Sequence, residues 1–128
     1  MRTKKSLTEL SRLVIALALV APAVHATDAG HGASVFDEEC SDCHSVKPDK
    51  NKKGPTLFGV VGRPAGSVAD FNYSDAMKAG GFTWSPDRLS SYISAPKKTV
   101  PGGKMKYDGL ANDQARADLI AYLSTLRQ

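Results

Sequence analysis

Residues 40–44 read CSDCH, and Cys40 and Cys43 are the only two cysteines in the 128-residue chain, with His44 directly after the second. Two thiols three positions apart beside an imidazole suit three chemistries: thiol–disulfide exchange, zinc binding, or covalent attachment of a haem. Thiol exchange at C-x-x-C needs a strand before the motif and a parallel sheet around it. Here an amphipathic stretch from Gly32 to Cys40 leads into the motif, and no βαβ pattern occurs. A structural zinc ion needs four N or S ligands, and Cys40, Cys43 and His44 leave one missing. A plain disulfide leaves His44 idle. Haem attachment uses every residue: two thioethers from the thiols, and an imidazole placed next in the chain to ligate the iron.

The second axial position is then expected to hold methionine, histidine or nothing. His31 precedes the first expected helix, and His25 falls in a leader, which leaves Met77 and Met105. Met77, on a short capped helix, suits the ordinary role of methionine as core filler. Met105 sits between Lys104 and Lys106 in a Gly- and Pro-rich loop, with no helical face to join, so the loop itself must turn it inward.

The elements that must position these groups are helical. After the Gly32–Cys40 helix comes a long segment punctuated by Gly54-Pro55, Gly62 and Pro64-x-Gly66, expected to be irregular. Ser74 caps a short helix over 75–79 that ends at Gly80-Gly81. Ser85-Pro86-Asp87 opens another, with Leu89, Tyr92 and Ile93 on one face and Pro96 as its stop. Residues 95–111 read as loop. Asn112 caps a last helix in which Ala115, Leu119, Leu123 and Leu126 recur at helical spacing, with Ile120 and Tyr122 beside them. No alternating strand pattern is found, so the class is all-α, with three to five helices and long loops.

Residues 1–26 have the form of a signal peptide: Arg2, Lys4, Lys5 and Arg12, an apolar run from Leu13, and the small-residue end Val24-His25-Ala26. The run is shorter than the roughly 20 residues a spanning helix needs. The expected domain is 27–128, exported to the periplasm. Subtracting the leader's four basic residues and Glu9 from the chain's 17 and 13 leaves 13 against 12, a net charge of +1. Overall basicity is thus no argument for nucleic-acid binding. A domain of this size buries little apolar surface, and a large apolar cofactor at its centre would remedy that.

From Gly32 to Leu126 the chain resembles the class I c-type cytochromes, close to mitochondrial cytochrome c and bacterial periplasmic carriers. The likeness runs through CSDCH, GPTLFGVVGR, FNYSDA, TW, YISAPKKTVPGGKM and DLIAYL. The resemblance implies the cytochrome c fold wrapped around one covalently bound haem c and its iron. First and last helices would cross through Gly32 and Phe36 against Leu119 and Tyr122. It implies attachment through Cys40 and Cys43, His44 as proximal and Met105 as distal ligand, and the Pro55 carbonyl accepting the other N–H of His44. It places Arg63, Tyr73 and Trp84 at the haem propionates and Tyr92 near the methionine sulfur. Three residues depart from the common pattern: Gly103 for a threonine, Met77 for an asparagine of the internal water network, and Tyr107 for a phenylalanine at the haem edge.

With both axial positions filled by protein atoms, the iron can only exchange an electron, and a methionine–histidine pair raises its potential relative to two imidazoles. The expected function is a periplasmic single-electron carrier rather than an enzyme, monomeric, and serving a membrane-bound reductase and an oxidase or reaction centre. The alternative is a haem enzyme or gas sensor in which Met105 is labile, an idea that rests on Gly103. Lys47, Lys97, Lys98, Lys104 and Lys106 could ring an exposed haem edge and steer docking, with Glu39 and Asp42 weakening the field beside Cys40.

Overall fold

Asp28 starts the first helix. In the computed structural model, which describes residues 18–127, its carboxylate accepts the N–H groups of Gly30 and His31 at 2.8 and 3.1 Å and so caps α1 (Ala29–Glu39). The helix therefore begins three residues before the expected Gly32, and His31 lies in its first turn rather than ahead of it. Gly30 and Gly32 disfavour a helix locally. The reason for Gly32 is tertiary: a Cβ there would lie 2.0 Å from the carbonyl oxygen of Asp118 on α5 (Asp113–Ser124).

That close approach sets the crossing of α1 and α5, the main helix–helix contact of the fold. Val35 and Phe36 face it from α1; Leu119 and Leu123, the most deeply buried side chains, face it from α5. Phe36 and Tyr122 meet with ring centroids 6.1 Å apart. The crossing thus forms through the residues that the resemblance implied. Asn112 caps α5 through the N–H of Ala115 at 2.9 Å. Leu126 lies beyond the helix end but still packs partly buried on the core.

One charged group is buried at this crossing. Asp118 accepts the backbone N–H of Asp28 at 2.8 Å and Gln114 Nε2 at 2.9 Å, and pairs with His31 Nδ1 at 2.7 Å. These partners hold its carboxyl below the usual carboxylate range, the Asp28 N–H most of all.

Three shorter helices complete the fold. Ser74 caps α2 (Asp75–Lys78) through the N–H of Met77, and Ser85 caps α3 (Pro86–Ser94) through that of Arg88, both at 3.1 Å. Pro96 does stop α3, as expected, but residues 95–111 are not all loop: Pro96 also opens α4 (Pro96–Thr99). A proline suits the first turn of a helix, where its missing N–H has no partner to lose. α3 packs against both α4 and α5.

The described residues form five helices joined by long loops, with one isolated bridge between Pro64 and Thr83 and no strand. The all-α class with three to five helices is therefore correct. Of the expected leader, residues 1–17 lie outside the described part; Leu19, Val20 and Val24 are fully exposed and outside any helix. No helix among the described residues is long and apolar enough to cross a membrane.

Candidate cofactor site

The end of α1 delivers the CSDCH turn. The N–H of Cys40 still bonds to Phe36 at 2.9 Å, and those of Cys43 and His44 fold back onto the Cys40 carbonyl at 3.1 and 2.9 Å. Cys40 is half-buried and Cys43 exposed. Burial, with the charges of Glu39 and Cys43, pushes the Cys40 thiol up to about 11. A thiol so far from its thiolate is a poor nucleophile for disulfide exchange, in line with setting that chemistry aside.

His44 is held by backbone. Its Nδ1 lies 2.8 Å from the Pro55 carbonyl oxygen, and a carbonyl can only accept, so Nδ1 carries the proton. Burial lowers its pKa and outweighs the Pro55 bond, while Arg63 and Lys52 lower it further. The ring is therefore neutral near pH 7, which leaves Nε2 as a free lone pair, the form a metal ligand requires. Gly54 completes the seat: its N–H bonds to the Cys43 carbonyl at 2.7 Å, and a Cβ there would lie 2.3 Å from His44 Cε1.

Arg63 lies in the neighbouring wall. Its Nη1 and Nη2 donate to the carbonyls of Phe58 and Thr56, each at 2.9 Å, while Nε is buried with no partner among the described residues. Desolvation lowers its pKa against the opposing influence of Tyr73. An orphaned, desolvated guanidinium donor marks a place for an anionic group.

Backbone pairing brings Trp84 beside it. The N–H of Trp84 bonds to the Arg63 carbonyl at 2.9 Å, and the N–H of Gly62 to the Trp84 carbonyl at 2.8 Å. Trp84 and Tyr92 are both buried, with ring centroids 4.9 Å apart, and burial raises the pKa of the Tyr92 hydroxyl. The Tyr73 hydroxyl accepts the N–H of Val68 at 3.1 Å. Tyr73 also lines an open groove of about 500 Å³ together with Ala76, Gly102 and Lys104, which puts it beside the loop leading to Met105.

The two methionines separate as their settings predict. Met77 is buried within the core, whereas Met105 is half-buried and packs against the core from its loop. Lys47, Lys97, Lys98, Lys104 and Lys106 are all exposed. Two of them are engaged: Lys97 Nζ pairs with Asp108 at 3.2 Å, and Lys104 Nζ donates to the Asn72 carbonyl at 3.1 Å.

Sequence reasoning missed three features of the site. Gly54 reads there as turn punctuation, not as a cradle for an imidazole. Asp118 and His31 are separated by 87 residues, and Tyr107 and Glu39, joined by a 2.6 Å hydrogen bond, by 68. Nothing in local periodicity signals such pairs.

Residues 29–127 match the family described as cytochrome c. The chain is 47% identical over 100 residues to cytochrome c2 of Rhodopila globiformis, covering 78% of this chain and 94% of that protein. It is 46% identical over 112 residues to cytochrome c2 of Blastochloris viridis, covering 87% of each. Among solved structures, cytochrome cH from Methylobacterium extorquens superposes with a TM-score of 0.72 at 44% identity, covering 77% of this chain and 98% of that one.

Proposed function

The chain belongs to the cytochrome c family, and on that premise we propose that its electron passes through one haem c seated by Cys40, Cys43, His44 and Met105. As a member of that family it is an electron carrier with covalently bound haem, not an enzyme. When bound, the haem supplies an iron that gains and loses a single electron. The residues present fit such a group: two thiols in the turn after α1, a neutral imidazole with a free Nε2, and an unpaired guanidinium donor.

Each residue then has a physical task. Cys40 and Cys43 are the attachment points. His44 is the proximal ligand, and Pro55 fixes its ring and makes it more basic by accepting from Nδ1. Met105 is the distal ligand. Arg63 would offer Nε to a propionate, with Tyr73 and Trp84 as companion donors, and Tyr92, its ring tilted against that of Trp84, extends the apolar wall. The fixed, neutral imidazole carries this reading, because it is the one group whose protonation, tautomer and orientation all suit iron.

In the same reading residues 1–26 direct export, the carrier works in the periplasm as a monomer, and its partners are a membrane-bound reductase and an oxidase or reaction centre. The exposed lysines around the Met105 segment steer docking, although Lys97 and Lys104 are partly neutralised or tied down.

The ligand assignment is tested by comparing Met105→Ala with Met77→Ala. Met105→Ala is expected to bind carbon monoxide in the reduced state and to have a lower potential, because loss of the thioether removes a ligand that favours ferrous iron. Met77→Ala and the parent protein are expected to bind none. Carbon monoxide binding by the parent protein would favour the gas-sensor alternative, and binding by Met77→Ala alone would move the ligand to that residue.

A further inference from the structure

Residues 104–109, which carry Met105, make no backbone–backbone hydrogen bond to any described residue; the bonds on either side are Gly103 N–H to Val100 at 3.1 Å and Leu110 N–H to Ile93 at 2.9 Å. Side chains must therefore hold this segment between those two anchors. Lys104 reaches Asn72 and Asp108 pairs with Lys97, but Lys97 lies in α4, immediately before the loop itself. The remaining tie is different in kind: the Tyr107 hydroxyl donates to Glu39 Oε2 at 2.6 Å, across 68 residues, to the last residue of α1. Glu39 directly precedes Cys40, and Tyr107 is two residues past Met105. The bond thus joins the segment bearing the distal ligand to the segment bearing the attachment motif. Its length is the usual one for a charge-assisted bond from a hydroxyl to a carboxylate.

We propose that Tyr107 and Glu39 are positioning residues whose hydrogen bond keeps Met105 in its ligating place and so keeps other ligands out. The proposal rests on Met105 being the distal ligand. The bond joins the two segments of chain that, on this reading, would hold the cofactor. Losing it leaves a segment without backbone hydrogen bonds to the Lys104 and Asp108 ties alone, and the thioether then leaves more often. Tyr107→Phe would keep the ring and its packing but drop the tie.

The test uses the intact ferric protein and imidazole as the entering ligand. At saturating imidazole the rate of binding is set by the departure of the resident ligand. Tyr107→Phe and Glu39→Ala are each expected to raise this limiting rate roughly tenfold. Glu39→Gln, which keeps an acceptor oxygen, should return it to within about two-fold of the parent. The double variant Tyr107→Phe/Glu39→Ala should be no faster than either single one, because both remove the same bond. Unchanged rates in the single variants, or effects that multiply in the double variant, would overturn the proposal. A rise in rate accompanied by an equal fall in melting temperature in every variant, Glu39→Gln included, would also overturn it by reducing the pair to general stability. A parent protein that binds imidazole with no limiting rate would instead show that the distal assignment itself is wrong.

Discussion

On the His44 side, the chain is fastened through its own backbone: the imidazole rests against the Pro55 carbonyl, Gly54 closes onto the ring, and the preceding helix is locked to α5 where Gly32 meets Asp118. On the Met105 side, residues 104–109 lack backbone pairing and depend on the side-chain ties of Lys104, Asp108 and Tyr107. Backbone contacts cannot be rearranged without moving whole elements, whereas side-chain bonds on the surface compete with water one at a time. On the proposed assignment, His44 is therefore built to stay as a ligand, and Met105 is held at an adjustable strength. In an electron carrier so assembled, this division would keep the site closed to small ligands while letting a few surface residues tune its stability.

The severest way to break the comparison is to remove what both sides share. Changing Cys40 and Cys43 to Ala deprives the fold of its covalent centre, and a domain this small and rich in loops buries too little surface without it. The expected product is a largely unfolded chain, seen as loss of the cooperative transition in circular dichroism. A cooperative, fully helical product would show that the helix crossing suffices alone.

A smaller perturbation sharpens the contrast. Gly32→Ala forces a methyl into the Asp118 carbonyl, and overpacking of this sort costs about 1–3 kcal/mol. For a domain of this size each kcal/mol corresponds to roughly 4–8 °C in melting temperature. Gly103→Ala meets only Val100, with the carbonyl oxygen at 3.1 Å, and should shift stability by less than about 0.5 kcal/mol. Thermal melts of the two haem-loaded variants check this, and similar shifts would erase the distinction between a locked and an adjustable side.

The smallest effect concerns the surface. Reversing Lys97 and Lys98 to Glu should lower the melting temperature by only about 1–4 °C, since exposed pairs such as Lys97–Asp108 contribute little. It should still slow association with an acidic redox partner several-fold at low salt and flatten the salt dependence, because steering charges act within a Debye length of about 10 Å at 0.1 M. Stopped-flow rates across ionic strength measure it; unchanged low-salt rates would assign docking to another face.

Much of this architecture could be read from the sequence because its signals are local. Ser74, Ser85 and Asn112 cap the helices they announce, and CSDCH places two thiols and an imidazole in one turn. Reading failed where a residue serves a distant partner. Gly30 and Gly32 hid the first turn of α1, since the second glycine answers to α5 rather than to helix propensity. Pro96 signals a stop and a start alike, and local pattern alone does not reveal the start. The orphaned Nε of Arg63 follows from two carbonyls that occupy its other nitrogens, which no spacing rule encodes. The assignment of Met105 over Met77 came from the setting of each residue: one has a helical face to join and the other does not.

The most direct test of the account is nuclear magnetic resonance of the reduced, diamagnetic protein carrying ¹³C-methyl methionine. A methyl group bound through sulfur over the face of the haem feels its ring current and moves far upfield of every other methionine signal. The account predicts a single such resonance, which disappears in Met105→Leu and persists in Met77→Leu. No upfield methyl in the parent protein, or one that disappears with Met77 instead, would contradict it.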